Sequence, residues 1–150
     1  MITLHGEERL PVGGKAVLEF LADPGRFAQC LPNLAGLEGG NGDEFAARFK
    51  VEIPEGAGVG YMKNIGVRMV FRVSRGPDEV GIHGEGRSAG VKIKLDLRIL
   101  VHEEAQGSRL EWDASLDAGL LERLIGGAKF ESMTRGMAGE IISCLAAKTK

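Results

Sequence analysis

The chain has 150 residues, 43% hydrophobic and 27% charged, with a formal net charge of −2. That is the length of a single domain, spanning 1–150, with a real core, and the balanced charge excludes the basic surplus expected of a nucleic-acid binder. No run approaches the ~18 apolar residues of a membrane span and the N-terminus shows no leader pattern, so a cytoplasmic protein with no transmembrane segment is expected.

Residues 2–10 (ITLHGEERL) read as a strand with Ile2, Leu4 and Leu10 on one side, ended by Pro11. In 14–22, Val17, Leu18, Phe20 and Leu21 recur at helical spacing. Asp23-Pro24 breaks that helix and can cap a second short one, PGRFAQCL, which Pro32 stops. Asn33 to Gly42 reads as a connection. Over 43–53, Phe45, Ala47, Phe49, Val51 and Ile53 alternate with Arg48, Lys50 and Glu52, the mark of a half-buried antiparallel strand. Pro54-Glu55-Gly56 signals a turn.

Residues 57–74 hold one or two strands, with Val67, Met69, Phe71 and Val73 alternating with Arg68 and Arg72; AGVGYMKNIG reads as a short strand with a hairpin or as a loop. Residues 75–78 form a turn, and 79–88 a glycine-laced strand with Val80 and Ile82 on one face and His83, Glu85 and Arg87 on the other. The strand over 91–102 sets Val91, Ile93, Leu95, Leu97 and Ile99 against Lys92, Lys94, Asp96 and Arg98. A polar loop, 103–108, leads to the last strand, 109–118, where Leu110, Trp112, Ala114, Leu116 and Ala118 face away from Glu111, Asp113, Ser115 and Asp117.

After Gly119 the period becomes that of a helix. Leu120, Leu124, Gly127, Phe130, Met133, Met137, Ile141, Cys144 and Leu145 form one stripe of an amphipathic helix of roughly seven turns. Gly126, Gly127, Gly136 and Gly139 each weaken such a helix by up to ~1 kcal/mol relative to alanine. Two reasons fit that cost: close approach of the helix backbone to the sheet, or room left for a guest.

No catalytic motif and no cofactor signature is present. His5 and His83 fall with the polar sets beside Glu7 and Glu85, and His102 lies on a third strand, so the histidines read as surface residues rather than metal ligands. Arg68, Arg72, Glu85 and Arg87 read as the wet face, paired across strands with residues such as Lys92, Lys94, Asp96, Glu111 and Asp113. Ser88, Ser108 and Ser132 lack a nucleophile context such as GxSxG. The run G-I-H-G-E-G at 81–86 opens no helix and is no phosphate cradle. Cys30 and Cys144 lie far apart, form no CxxC and read as reduced core thiols.

The apolar set Phe49, Met69, Phe71, Ile82, Leu95, Leu97, Trp112, Leu116, Leu124, Phe130, Met133 and Met137 is either plain core or the wall of a ligand cavity. Methionines opposite glycines favour an adaptable, underfilled interior.

The order of strand, two short helices, antiparallel meander and C-terminal helix resembles the helix-grip fold of the START and Bet v 1-like (SRPBCC) superfamily. Pro11, Asp23-Pro24 and Cys30-Leu31-Pro32 resemble the opening of the CoxG family of carbon monoxide dehydrogenase subunits. GEGRSAGVKIKLDLRI and SRLEWDASLDAGLLERLIGGAKFESM resemble its later strands and helix start. Asn33 stands where that family often has glycine, and 54–66 matches poorly. The resemblance implies an α+β fold: a curved antiparallel sheet of six to seven strands wrapped on a long C-terminal helix, with two short helices after the first strand. It also implies a non-enzymatic accessory or carrier protein for a hydrophobic small molecule such as a lipid or quinone. Its partner would be a molybdenum-containing carbon monoxide dehydrogenase-type hydroxylase, with peripheral contact at the inner face of the membrane. Two rivals stand beside it. One is a polyketide cyclase- or hydratase-like enzyme, which needs an inward His, Glu or Tyr61. The other is a protein-binding module with a filled core and an exposed apolar patch.

Overall fold

A computed structural model describes residues 1–38, 42–52, 64–88 and 90–149, apart from the Leu124 side chain. The elements are β1 (Ile2–Leu10), α1 (Gly14–Ala22), α2 (Pro24–Phe27), a 3-10 turn (Ala28–Cys30), β2 (Leu34–Glu38), β3 (Glu44–Glu52), β4 (Asn64–Arg75), β5 (Glu79–Ser88), β6 (Val91–Glu104), β7 (Gly107–Asp117), α3 (Leu120–Ile125) and α4 (Gly127–Lys148). All seven strands join one curved antiparallel sheet in the order β1-β7-β6-β5-β4-β3-β2. The expected helix-grip fold is therefore present, with β1 and β2 at opposite edges.

Local chemistry accounts for most boundaries. The Asp23 carboxylate accepts the N–H groups of Gly25 and Arg26 (3.0 and 3.3 Å), so it caps α2 while Pro24 occupies the first turn. The two short helices meet at that corner. Arg75 then donates to the Ala22 carbonyl at 2.5 Å and pairs with Asp43, tying the end of α1 to the sheet.

Four expectations need correction. The connection 33–42 contains a strand, β2, hidden in the sequence because Gly36 and a register shift between Leu34 and Gly36 interrupt its alternation. The 103–108 loop is shorter: β6 runs through Glu104 and β7 begins at Gly107. Glu103 stays in the strand and accepts the Gly14 N–H on both carboxylate oxygens at 2.8 Å, serving the N-terminus of α1. The C-terminal helix is two helices, broken at Gly126, whose φ of 99° lies in the left-handed region open to glycine. Finally, Cys30 and Cys144 are not free thiols; they form a disulfide with 5.4 Å between their Cα atoms. The fold brings together two cysteines 114 residues apart, which sequence distance conceals. Ile53, Tyr61 and most of the 54–66 stretch lie outside the described residues.

The inner face of the sheet divides into two halves. At one end α1 packs against β4 to β7, where Val17, Phe20, Leu21, Val73, Val80 and Val101 are almost wholly buried. At the other end α4 faces the sheet, and its backbone comes nearest to β1, α3 and the 3-10 turn. Gly136 and Gly139 look into open space, so close approach of helix backbone to sheet does not explain them. The polar face carries ion pairs, but Arg68 and Arg72 take Glu38 and Glu44 rather than the acids named from the sequence; Arg98 pairs with Glu79, and His83 with Asp96 across the ladder and Glu85 on its own strand.

Candidate functional site

Between α4 and the second half of the sheet lies a cavity of about 220 Å³. Its presence shows in the burial pattern. Phe49, Val67, Leu95, Leu97, Trp112 and Leu116 all sit on the greasy face, yet each is only half-buried because, among the described residues, no side chain fills the space before it. Met133, Met137 and Ile141 on α4 are half-buried for the same reason.

Period-two alternation in β3, β4, β6 and β7 supplies one wall. The 3.6 period of α4 supplies the other, with α3 and Leu31-Pro32 at the ends. Of the twelve residues singled out in the sequence, ten line the space: Phe49, Met69, Phe71, Leu95, Leu97, Trp112, Leu116, Phe130, Met133 and Met137. Ile82 does not. It is 2% exposed and packed in the solid part of the core beside Val73, and the boundary of the cavity falls between Ile82 and its cross-strand partner Leu97. The Leu124 side chain lies outside the description.

Other wall residues were within reach of the same patterns. Val51, Ile93, Ile99 and Ala114 occupy the inward set of strands already recognised, and Ala138 and Ile142 flank the α4 stripe. Leu31 and Pro32 carry no periodic signal, since they follow a 3-10 turn.

The chemistry of the wall is uniform. Among the described residues Thr134 supplies the one hydroxyl of the lining, and that hydroxyl donates to the Phe130 carbonyl at 2.8 Å within its own helix. The Trp112 indole N–H is buried and has no acceptor among the described residues. None of the described wall residues is an acid, a base or a thiol. Charge is held on the opposite side of the sheet. There His83 is raised above its ordinary value by its hydrogen bond to Asp96, with a smaller contribution from Glu85. Hydrogen bonding to Arg68 lowers Glu38, and hydrogen bonding to Arg109 lowers Glu111. Among the described residues there is no cluster of three metal-ligating side chains and no helix long and apolar enough to cross a membrane.

Solved structures share this architecture. A conserved protein from Geobacillus kaustophilus is 14% identical with a TM-score of 0.81, over 99% of this chain and 95% of that one. A START superfamily protein from Mycobacterium smegmatis is 9% identical with a TM-score of 0.70, over 98% and 96%. The Zhui aromatase/cyclase from Streptomyces sp. R1128 is 10% identical with a TM-score of 0.64, over 99% and 93%. At such identities the likeness is one of fold. No curated protein matches the chain in sequence. The model of one family does match, from residue 6 to residue 150, and on that near-complete span the chain belongs to the CoxG family of carbon monoxide dehydrogenase subunits.

Proposed function

We propose that this protein is a carrier or accessory domain that holds an apolar small molecule, of the lipid or quinone kind, between its sheet and α4. The observation that carries the reading is the unfilled 220 Å³ cavity and its apolar lining. Natural cores are close-packed. This space is partly open to the surface, so its apolar wall meets water unless a guest covers it. An apolar cavity of ~150 Å³ already takes up benzene from water. With no charge among the described wall residues, recognition rests on shape and apolar area, at ~25 cal/mol per Å² before ordering costs. A charged headgroup stays outside, since burying it unpaired is prohibitive. The family's name supports a carbon monoxide dehydrogenase-type hydroxylase as the partner that receives or supplies the molecule.

The test is titration of the delipidated chain with a short-chain quinone and with a medium-chain fatty acid, read by calorimetry. Saturable binding is expected, with a negative heat-capacity change. Ala114→Leu, which extends a side chain into the space, should weaken binding at least ~10-fold while leaving the melting temperature level or higher, because it fills part of a void. Absence of binding for both ligand classes, or equal binding by the Leu variant, overturns the reading.

A further inference from the structure

The outer face of the sheet carries a charge arrangement that the cavity does not require. Arg48 on β3 is in register with Arg68 on β4, Arg68 with Arg87 on β5, and Arg87 with Lys92 on β6. All four are exposed. Four cations thus stand side by side on neighbouring strands ~4.8 Å apart, and Lys50 and Lys94 flank the row two residues along β3 and β6. Like charges directly opposite one another destabilise a sheet. Elsewhere on this face Glu44 faces Arg72, His83 faces Asp96 and Arg98 faces Asp113, and where like charges do meet, as Arg9 and Arg109 do, Glu104, Glu7 and Glu111 reach the arginines. The row is also a local excess on a chain whose net charge is −2.

The carboxylates near the row leave half of it open. Glu38, from the edge strand, accepts Arg68 Nη2 and Nε at 2.7 and 3.1 Å and lies 3.7 Å from Arg48 Nε. Glu85 is one row away, opposite Lys94, and turns to His83 at 3.3 Å; Lys92 and Lys94 act on it through space, without a direct ion-pair contact. Asp117 accepts the Gly119 N–H at 3.0 Å, and Glu52 sits at the far end of β3 opposite Asn64. Among the described residues, neither Arg87 nor Lys92 has a carboxylate in ion-pair contact.

We propose that this row is the docking surface for a protein partner that presents clustered carboxylates, such as the acidic face of a helix. Glu38 is the internal precedent: one carboxylate already bridges the first two cations, and a partner's carboxylates would occupy the next two in the same way. Three of the four cations are arginines, whose planar fork takes a carboxylate with two parallel hydrogen bonds. Carboxylates three or four residues apart on a helix lie ~5–6 Å from one another, close to the strand spacing that sets the row. A flat anionic membrane meets the convex outside of a curled sheet over a narrow strip and has no such spacing to match. The cation row would speed encounter and fix the register of docking more than it would add affinity. None of this depends on what occupies the cavity.

The probe is an acetylated, amidated peptide of four Glu-Ala-Ala-Ala repeats, titrated into the isotopically labelled full chain at low salt and followed by backbone amide shifts. Saturable shifts centred on Arg48, Arg68, Arg87 and Lys92 are expected. Binding should weaken at least ~10-fold in about 300 mM salt, where the Debye length falls well below 10 Å. The double variant Arg87→Glu/Lys92→Glu should abolish the shifts, and Arg87→Gln/Lys92→Gln should weaken them several-fold with unchanged circular dichroism. Arg135→Glu on α4, away from the row, should leave them intact. Shifts that do not saturate, that centre elsewhere, or that Arg135→Glu removes equally would overturn the proposal. Binding to equimolar phosphatidylglycerol–phosphatidylcholine vesicles without binding to the peptide would overturn it in favour of a membrane surface.

Discussion

The indole of Trp112 rests against Gly6, its directly paired neighbour on β1. A β-carbon at position 6 would lie 2.2 Å from Trp112 Cε2 and 2.4 Å from Nε1, well inside any real contact. Gly6 therefore sets where the ring lies, and with it one corner of the cavity wall.

Replacing Gly6 with alanine forces the ring off its seat, and the neighbouring free volume is the cavity. Gly6→Ala should cost about 1–3 kcal/mol, the usual price of overpacking, and should weaken apolar ligand binding by moving the ring into the ligand's space. Trp112 is the chain's single tryptophan, so urea unfolding followed by its fluorescence measures the first effect and the emission of the folded state reports the second. A variant as stable as the parent, with the same emission, would show that the ring is not held by Gly6.

The Cys30–Cys144 bond joins the 3-10 turn to the last turns of α4, beside Leu31, Pro32, Ile141 and Ile142 of the cavity wall. Closing a loop of more than 100 residues restricts the unfolded chain, so Cys144→Ser or reduction should remove about 2–5 kcal/mol of stability. The expected readout is a lower melting temperature in dithiothreitol for the parent and no effect of dithiothreitol on the variant. Hydrogen exchange should rise most over 141–148, where the tether is lost. Equal melting temperatures with and without reductant would refute it.

His83 lies between Asp96 (2.6 Å) and Glu85 (3.3 Å). Its folded-state value is raised above the ordinary 6.5, mainly by the hydrogen bond to Asp96. The protonated ring is the form the fold favours. Its contribution is therefore complete below the ordinary histidine value and is lost as pH rises through the higher folded value. The side chain is 45% exposed, so solvent screens most of the effect on stability and the titration itself is the better measurement. A proton NMR titration should place the midpoint of His83 above 6.5, and Asp96→Asn should bring it down. A midpoint that ignores Asp96→Asn would show that the contact does not govern the ring.

Much of the architecture is legible in the chain because side-chain alternation is a local property. The bounds of β1, α1 and β5 follow from it directly, and those of β3, β6 and β7 to within about two residues, as boundary readings allow. The same alternation sorts Phe49, Leu95, Leu97 and Trp112 from Arg48, Lys94, Asp96 and Asp113 without reference to any partner strand. Where alternation fails, the reading fails: β2 is short and bulged, and Leu31-Pro32 belong to no repeat.

What the residues determine alone is which side chains turn inward, and that the inward set is apolar with no titratable member. How far α4 stands from the sheet is a different matter. It depends on contacts between distant parts of the chain: β1 with α4, Cys30 with Cys144, and Glu103 with the start of α1. Those contacts decide that Ile82 joins the solid core while Leu97, its neighbour across the ladder, borders empty space. Periodicity fixes the direction of a side chain; only the spacing of the layers fixes whether anything meets it there.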